Sequence, residues 1–311
     1  MEANDEPAPD VSIVVPVYDE RDSLAELIDE IDAALGTLDR RSELIFVDDG
    51  STDGSGEYLR DRARSRTDLL VVDLGRNAGK SAALAAGFAR SRGAAVVTLD
   101  GDGQDDPAEI PGLLIKLDEG YDLVSGWKQD RQDPARRRVA SRVFNRVTAT
   151  ISGVELHDFN NGLKAYRGER IRSLDLYGEM HRFIPVLGAQ QGWKVAEVAV
   201  NHRPRTHGRT KFGLERYARG MLDLLAVVFM GRYENRPLHL FGGIGFGFLL
   251  IGTAIGIYLV IEKLTGHAIG DRPLLLLGVL LIVVGIQLFT FGLLAQMVVA
   301  MRNERVSRDR R

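Results

Sequence analysis

The chain of 311 residues contains no cysteine, which excludes disulfides and thiolate metal sites. Its net charge is only −3 at pH 7, so the overall charge points to no class of partner. Residues 1–10 lack both a basic segment and an apolar segment, and we expect them to form a short disordered tail rather than a signal peptide. The length suits one large domain with an appendage.

Two common phosphate-binding motifs are absent in their complete form. Residues 75–81 resemble the GxxxxGK[ST] loop but are one residue short. Residues 54–56 begin like a GxGxxG fingerprint, but Leu59 stands at the third glycine position. The sequence therefore favours neither nucleotide-binding fold. Lys80 remains a candidate ligand for an anion, and a solvated lysine at the start of a helix is the equal alternative.

Long apolar runs occur only in the last quarter of the chain. Residues 238–261 and 274–301 are each long enough to cross a bilayer core of about 30 Å, and a short polar connector joins them. This pattern predicts a two-helix transmembrane hairpin; two buried helices of a soluble domain are the alternative. Arginines outside both runs place the N-terminal region and both termini in the cytoplasm, at the inner membrane.

Glycine pairs at GxxxG spacing occur in the first apolar run, at Gly243 and Gly247 and at Gly252 and Gly256. Such pairs allow close helix packing. The packing is either within the hairpin or between subunits of a homo-oligomer.

Short apolar runs alternate with helical patterns in the first 126 residues. The strand-like runs are 11–17, 44–47, 69–72, 94–99 and 121–125. Strand–helix alternation predicts an α/β fold with a mostly parallel sheet and helices on both faces. We expect this domain to cover residues 11–211, followed by a juxtamembrane amphipathic helix (212–236), the hairpin (237–301) and a basic cytoplasmic tail (302–311).

Polar and acidic residues follow three of these strands. They are Pro16, Tyr18, Glu20, Asp48, Asp49, Asp100, Asp102 and Gln104. Carboxylates at i and i+2 after the fourth strand can bind one Mg²⁺ or Mn²⁺, which prefers oxygen ligands and can neutralise a diphosphate. An acidic turn is the alternative. Because the ends of parallel strands meet at one edge of a sheet, we expect these groups to share one crevice.

Two basic segments follow. In residues 128–146, Arg137 and Ser141 share a helical face, and a basic amphipathic helix beside a membrane anchor suits a lipid phosphate. A solvated face is the alternative. Residues 202–211 form a loop with Gly and Pro, which fits a cationic lid over a diphosphate. Nucleic acid is disfavoured as a partner because the chain is net negative and carries a membrane anchor.

Together these motifs resemble the family-2 glycosyltransferases of GT-A fold, and more narrowly the polyprenyl-phosphate glycosyltransferases and dolichyl-phosphate mannose synthases. The strings that carry the resemblance are residues 14–20, 47–53, 77–80, 99–104 and 158–164, together with the hairpin. The resemblance implies inverting transfer of a single sugar from a UDP- or GDP-linked donor to a polyprenyl phosphate at the cytoplasmic membrane face, with Mg²⁺ or Mn²⁺.

The resemblance also implies roles for individual residues. Asp100, Asp102 and Gln104 match the metal site. Lys128 stands where many members have arginine and, with Arg137 and Ser141, matches the contacts to the lipid phosphate. The remaining roles are the nucleotide site at Pro16, Tyr18, Glu20, Asp48, Asp49 and Lys80, stabilisation of the leaving group by Arg205 and Lys211, and a sugar-orienting or turn-capping role for Asp158.

Two other functions remain open at this point. Processive sugar synthases share the fold but carry Gln-x-x-Arg-Trp, and residues 190–193 lack that arginine. A non-catalytic scaffold that binds nucleotide sugars is the other alternative. The intact acidic turn argues against it, because a scaffold has no need of metal ligands.

Overall fold

The computed structural model describes residues 8–129, 135–201, 203, 237–266 and 273–309. The chain divides into two compact units, Met1–Val227 and Val228–Arg311. The predicted juxtamembrane helix (212–236) lies outside the described residues, as do Arg205 and Lys211. Of the predicted N-terminal tail, residues 8–10 are described, and the backbone N–H of Asp10 donates to the carbonyl of Arg41 at 2.8 Å.

A seven-stranded sheet forms the centre of the first unit, in the order β3-β2-β1-β4-β6-β5-β7. The strands are β1 (Val11–Val17), β2 (Ser42–Asp48), β3 (Leu69–Asp73), β4 (Ala95–Thr98), β5 (Leu123–Lys128), β6 (Lys164–Arg167) and β7 (Val195–Val200). β6 is antiparallel to both of its neighbours, and all other strand pairs are parallel. The predicted α/β fold with a mostly parallel sheet is therefore confirmed.

Seven helices accompany this sheet among the described residues of the first unit. They are α1 (Leu24–Leu35), α2 (Ser55–Arg64), α3 (Lys80–Arg90), α4 (Ile110–Asp118), α5 (Ala135–Ser152), α6 (Gly168–Arg172) and α7 (Ile184–Gln190). Short 3₁₀ helices precede two of them, at Pro107–Glu109 and Met180–Phe183. The apolar residues of α1 recur at helical spacing and are buried, which is the amphipathic pattern of a helix that covers one face of a sheet.

The helix α3 packs unusually close to the sheet because Gly87 faces it. A Cβ at this position would overlap Val14 and lie 3.2 Å from Val47 Cγ2. The absence of a side chain lets the helix backbone approach β1 and β2 directly. Lys80, the first residue of α3, lies next to Asp100, which follows the end of β4.

The second unit consists of two long apolar helices that form a hairpin, α8 (Pro237–Leu264) and α9 (Pro273–Asp309). The segments Pro237–Leu264 and Pro273–Met301 have mean hydropathies of 2.3 and 2.7 and are long and apolar enough to cross a membrane. The predicted hairpin over 237–301 matches these two helices.

Glycines bring α8 and α9 together. A Cβ on Gly245 would lie 2.6 Å from the carbonyl oxygen of Gly285, and a Cβ on Gly252 would lie 2.9 Å from that of Gly278. Among the described residues, a Cβ on Gly243, Gly247 or Gly256 would meet nothing within 4 Å. Of the four glycines in the predicted GxxxG pairs, Gly252 thus lies in the contact between the two helices.

Candidate active site

Asp100 and Lys80 form an ion pair at the carboxyl edge of the sheet. Asp100 follows β4, and its backbone N–H donates to Asp105 Oδ2 at 3.1 Å. Both the backbone and the side chain of the first predicted metal ligand are therefore held in place. Burial raises the pKa of Asp100, but the ammonium groups of Lys80, Lys128 and Lys164 outweigh burial and leave the pKa below its usual value.

Asp49 fixes the loop that leads to Lys80. Its carboxylate accepts hydrogen bonds from the N–H groups of Ala78 at 2.6 Å and Gly79 at 2.9 Å. Asp49 is buried at the end of β2, so it holds this loop against the sheet. Its neighbour Asp48 accepts from Ser51 N–H at 2.9 Å and stabilises the turn after β2.

The end of β1 is joined to the same turn. Asp19 has a φ of +52°, and its carboxylate accepts from Thr52 N–H at 2.8 Å. The N–H of Glu20 donates to Ser55 Oγ at 3.1 Å. The predicted nucleoside residues at the ends of β1 and β2 are therefore brought together, as expected for strand ends at one edge of a sheet.

The acidic turn carries two carboxylates, those of Asp100 and Asp102. Gln104 N–H donates to Asp102 Oδ1 at 3.2 Å, which orients the second carboxylate within the turn. Among the described residues, no cluster of three or more Asp, Glu or His side chains could hold a metal ion. Mg²⁺ and similar ions usually take one or two carboxylates and complete their shell with phosphate oxygens and water. The carboxylate oxygens of Asp100 and Asp102 are ligands of the kind that such an ion prefers.

Asp105 links the two predicted substrate sites and was missed in the sequence. It is 1% exposed, and its Oδ1 lies 2.7 Å from Lys128 Nζ. Burial lowers the pKa of Lys128, but the charge of Asp105 outweighs this and raises it. The same carboxylate accepts the N–H of Asp100. The lysine assigned to the lipid phosphate thus shares a carboxylate with the turn assigned to the metal.

A buried lysine on β6 was also missed. Lys164 is 3% exposed, and its ammonium donates to the carbonyl of Asn161. Burial and the nearby Lys80 lower the pKa of Lys164 to about 8. Asp158 lies on the loop before β6, as Asn161 does, and is buried. Its carboxylate accepts from Asn160 N–H at 3.2 Å. The predicted capping interaction of Asp158 is therefore present.

Glu197 on β7 holds the start of this loop. Its carboxylate accepts from the N–H groups of His157 and Asp158 at 3.0–3.1 Å. The ring of His157 stacks on Trp127 with a centroid distance of 4.1 Å. The end of β5, which carries Lys128, is thus connected to the loop that carries Asp158.

A small pocket opens beside Asp100. The residues that line it are Lys80, Leu84, Thr98, Asp100, Asn160, Asn161, Gly162, Lys164, Tyr166, His181 and Arg182. They come from α3, β4 and the turn after it, β6 and the loop before it, and the 3₁₀ helix Met180–Phe183. Sequence analysis identified only Lys80 and Asp100 among them as site residues.

The predicted basic segments are described in part. Arg137 lies on α5, as predicted, but its side chain is outside the described residues; Ser141 is half-buried on the same helix. Arg203 is the described basic residue of the second segment. Its N–H donates to the carbonyl of Gln104 at 3.2 Å, and its guanidinium lies 2.8 Å from Asp106. The second segment therefore begins beside the acidic turn.

Comparison with known proteins gives consistent results. Residues 12–177 match the domain described as Glycosyl transferase family 2. Dodecaprenyl-phosphate galacturonate synthase of Rhizobium johnstonii is 41% identical over 93% of this chain and 87% of its own length. Undecaprenyl-phosphate 4-deoxy-4-formamido-L-arabinose transferase of Klebsiella pneumoniae is 35% identical over 98% of this chain and 92% of its own.

A solved structure shares the fold. It is glucosyl-3-phosphoglycerate synthase from Mycobacterium tuberculosis in complex with Mn²⁺ and UDP-glucose, with a TM-score of 0.54 and 23% identity, covering 72% of this chain and 79% of that one. The domain match and the curated relatives confirm the resemblance seen in the motifs. The chain belongs to glycosyl transferase family 2.

Proposed function

We propose that this protein is an inverting glycosyltransferase that moves one sugar from a nucleotide diphosphate sugar to a polyprenyl phosphate. The observation that carries the proposal is the crevice where the ends of β1, β2 and β4 meet, with the Lys80–Asp100 ion pair at its centre. The curated relatives, whose names describe single-sugar transfer to polyprenyl phosphates, also support the proposal, because they align with this chain over most of their length.

The nucleotide occupies the edge formed by β1 and β2. Pro16, Tyr18, Glu20, Asp48 and Asp49 hold the nucleoside, and the loop bound by Asp49 positions Lys80 for the diphosphate. The backbone N–H groups at the start of α3, beside Lys80, also favour a bound anion.

Asp100 and Asp102, with Gln104, would hold Mg²⁺ or Mn²⁺. A cation bound there would supply Lewis-acid stabilisation of the leaving nucleoside diphosphate. The Mycobacterium tuberculosis enzyme of the same fold was crystallised with Mn²⁺, which supports this choice. Arg205 and Lys211 add positive charge at the diphosphate, and Asp158 orients a sugar hydroxyl.

The reaction is a displacement at C1 of the sugar. A phosphate oxygen of the acceptor attacks C1, and the bond between C1 and the diphosphate oxygen breaks with its electron pair going to the diphosphate. The attacking oxygen is already anionic near neutral pH, so the step requires no strong general base. The protein contributes mainly positioning and charge stabilisation.

The acceptor phosphate is held at the other edge of the site by Lys128, Arg137 and Ser141. The hairpin of α8 and α9 anchors the protein in the inner membrane, with both termini in the cytoplasm.

A substitution on α5 tests the assignment of the acceptor phosphate. Arg137→Ala should raise the KM for polyprenyl phosphate about tenfold and leave that for the nucleotide sugar nearly unchanged. An equal rise in both constants would assign α5 a general structural role.

The outward glycines of α8 provide the surface for a homo-oligomer. Gly243 and Gly247 point away from α9 within the described residues, so a second copy can approach their backbone closely. Gly247→Leu should convert the detergent-solubilised protein to monomer, as measured by light scattering. An unchanged mass would exclude this surface.

The proposed activity is tested by incubating membranes that contain the protein with radiolabelled nucleotide sugars and polyprenyl phosphate, followed by lipid extraction. Label should enter the lipid as one sugar per chain, and longer glycans would favour a processive synthase.

Asp102→Asn should abolish transfer without lowering the melting temperature, because an amide is a weak ligand for a hard cation. The matched control is Asp61→Asn on the exposed face of α2. Transfer that survives Asp102→Asn or excess EDTA would refute the metal assignment.

A further inference from the structure

We propose that the face of α9 around Gln287 packs on Gly243 and Gly247 of α8 in a second copy of this chain. The partner is therefore the same protein, but the two copies contact each other through different surfaces. This inference rests on the homo-oligomer proposed above and names the surface that meets its outward glycines. It concerns the hairpin, and its tests do not depend on sugar transfer.

Gln287 is a polar residue in the middle of a membrane-spanning segment. It is the central residue of the 29-residue segment Pro273–Met301. Its side chain is exposed, and within the described residues its amide has no hydrogen-bond partner. The centre of a bilayer offers no water in place of such a partner, so an unpaired amide is strongly disfavoured there. Gln287 therefore indicates a second membrane helix that supplies a polar group at this depth.

Gln287 belongs to a stripe on the side of α9 that faces away from α8. The buried positions of α9 against α8 recur every seven residues, at Gly278, Gly285 and Gly292. Gln287 follows Gly285 by two positions, which is a rotation of about 200° around the helix. Exposed residues recur on its side at spacings of three and four, the pattern of a helix face that packs on another helix. They are Leu280, Val283, Gln287, Thr290, Leu294 and Met297.

The outward glycines of α8 form a complementary surface. A Cβ on Gly243 or Gly247 would meet nothing within 4 Å among the described residues, so α9 of the same chain leaves this surface open. Glycine leaves the helix backbone uncovered, so a side chain of a neighbouring helix can approach the carbonyl oxygens. A helical carbonyl keeps a second lone pair for a further hydrogen bond. The amide of Gln287 thus finds acceptors that lipid does not provide.

The two surfaces lie at the same depth in the membrane. Within one hairpin, a Cβ on Gly245 would lie 2.6 Å from the carbonyl oxygen of Gly285 and 2.8 Å from the backbone nitrogen of Phe289. Gln287 is midway between the last two residues, and Gly245 is midway between the two outward glycines. Copies of one chain share one orientation in a membrane. Residues at equal depth therefore meet when two hairpins pack side by side.

Contact between unlike faces satisfies both surfaces. Two glycine faces in contact would leave Gln287 unpaired, and two Gln287 faces in contact would leave the uncovered backbone of α8 against lipid. Each face points away from the other helix of its own hairpin, so the two faces lie on opposite sides of the hairpin. One copy can therefore contact a neighbour on each side, in a head-to-tail arrangement.

Cysteine cross-linking tests the contact on the full-length protein in membranes. The chain has no cysteine, so introduced residues supply the only thiols. Leu250 lies three positions after Gly247, and Val283 lies four positions before Gln287; both are exposed. Chains with Leu250→Cys and chains with Val283→Cys carry different tags, are co-expressed and are oxidised with copper phenanthroline. A disulfide should join the two kinds of chain, giving a product that carries both tags.

Single variants and a control decide between the possible contacts. Neither variant expressed alone should form a cross-link. Ile251→Cys is the control for Leu250→Cys, because it is also exposed but points about 100° away around the helix, and it should give less than about a tenth of the product. Cross-linking of Val283→Cys chains with each other, or of Leu250→Cys chains with each other, would overturn the inference in favour of a symmetric contact. Absence of any product would overturn it as well.

Substitution of Gln287 tests the role of its amide. Association is measured by energy transfer between labelled copies in liposomes of phosphatidylcholine and phosphatidylglycerol at a series of dilutions. Gln287→Leu keeps the size of the side chain but removes its hydrogen bonds, and it should weaken association about tenfold. The control Thr253→Val removes an exposed hydroxyl of α8 outside the glycine face and should leave association within twofold. Unchanged or stronger association of Gln287→Leu would overturn the inference.

The outcomes separate this inference from the proposed function. Cross-linking through like faces would keep the homo-oligomer and refute the contact proposed here. Monomers in every measurement would refute both surfaces and leave the proposed sugar transfer to its own assay. Absence of label transfer together with the expected cross-link would refute the activity and support the contact.

Discussion

Gly162 lies so close to the Asp100 carboxylate that its position has no room for a methyl group. A Cβ there would overlap Oδ1 and would lie 2.5 Å from Cγ and 2.7 Å from Oδ2 of Asp100. Ordinary contact between such atoms requires about 3.5 Å, so Gly162→Ala displaces the carboxylate by about 1 Å. The backbone of Gly162 is outside the left-handed region, and alanine adopts it without strain.

This displacement should mainly affect catalysis. Asp100 loses its ion pair with Lys80 and its position for the cation. A misplacement of about 1 Å in an active site can cost about 100-fold in rate, which corresponds to about 2.7 kcal/mol of transition-state stabilisation. The added methyl group should lower the free energy of unfolding by about 1–3 kcal/mol, the usual range for overpacking.

The assay compares kcat/KM for label transfer to lipid with the melting temperature of the purified protein. The control is Gly112→Ala in α4, where a Cβ meets nothing within 4 Å among the described residues. It should keep full activity and gain slight stability, because alanine is the better helix former. Wild-type activity of Gly162→Ala would show that the position of the Asp100 carboxylate does not limit the reaction.

Three further predictions concern stability. Lys128→Met leaves the buried Asp105 without its ammonium partner and should lower the free energy of unfolding, measured by denaturant titration, by about 3–5 kcal/mol. Lys128→Arg should lower it less. Equal unfolding free energies of the wild type and both variants would contradict the buried pair. Gly245→Leu should separate α8 from α9 and lower the melting temperature, whereas Gly256→Leu should not, since a Cβ on Gly245 would meet α9 and one on Gly256 meets nothing within 4 Å among the described residues. The low pKa of Lys164, about 8 against 10.5, means that the unfolded chain binds more protons above pH 8. Unfolding free energy should therefore rise with pH from about 8 to 10.5, and Lys164→Met should abolish that rise.

The parallel half of the sheet could be predicted from the sequence. Residues 11–17 are a continuous run dominated by valine, and they form β1 with the predicted bounds. Strands buried on both faces need such runs, so composition identifies them. The convergence of Asp49 and Asp100 followed from the rule that parallel strands end at one edge. Lys80 begins a helix, and the rule did not place it there.

The strand β6 could not be predicted in the same way. It is four residues long and includes Lys164 and Arg167, so no apolar run identifies it. Its formation depends on antiparallel pairing with β4 and β5, which are distant in sequence. The burial of Lys164 follows from this pairing, and so the pocket beside Asp100 was not predicted either.

The role of Asp105 also depended on three-dimensional structure. It follows the acidic turn directly and precedes Asp106, whose carboxylate accepts from Ala108 N–H at the start of the next helix. The density of acidic residues before Pro107 was a signal that one of them has a separate role. Sequence alone does not reveal that its partner is Lys128, at the end of another strand.

We expect Asp105 to make binding of the two proposed substrates interdependent. It accepts the Asp100 N–H on the donor side and the Lys128 ammonium on the acceptor side. A lipid phosphate that attracts Lys128 weakens one of these bonds and alters the support of the turn that holds Asp100. By linkage, the nucleotide sugar then changes the affinity for the lipid by the same factor as the lipid changes the affinity for the sugar. We therefore expect binding of one proposed substrate to change the affinity for the other before any chemistry occurs.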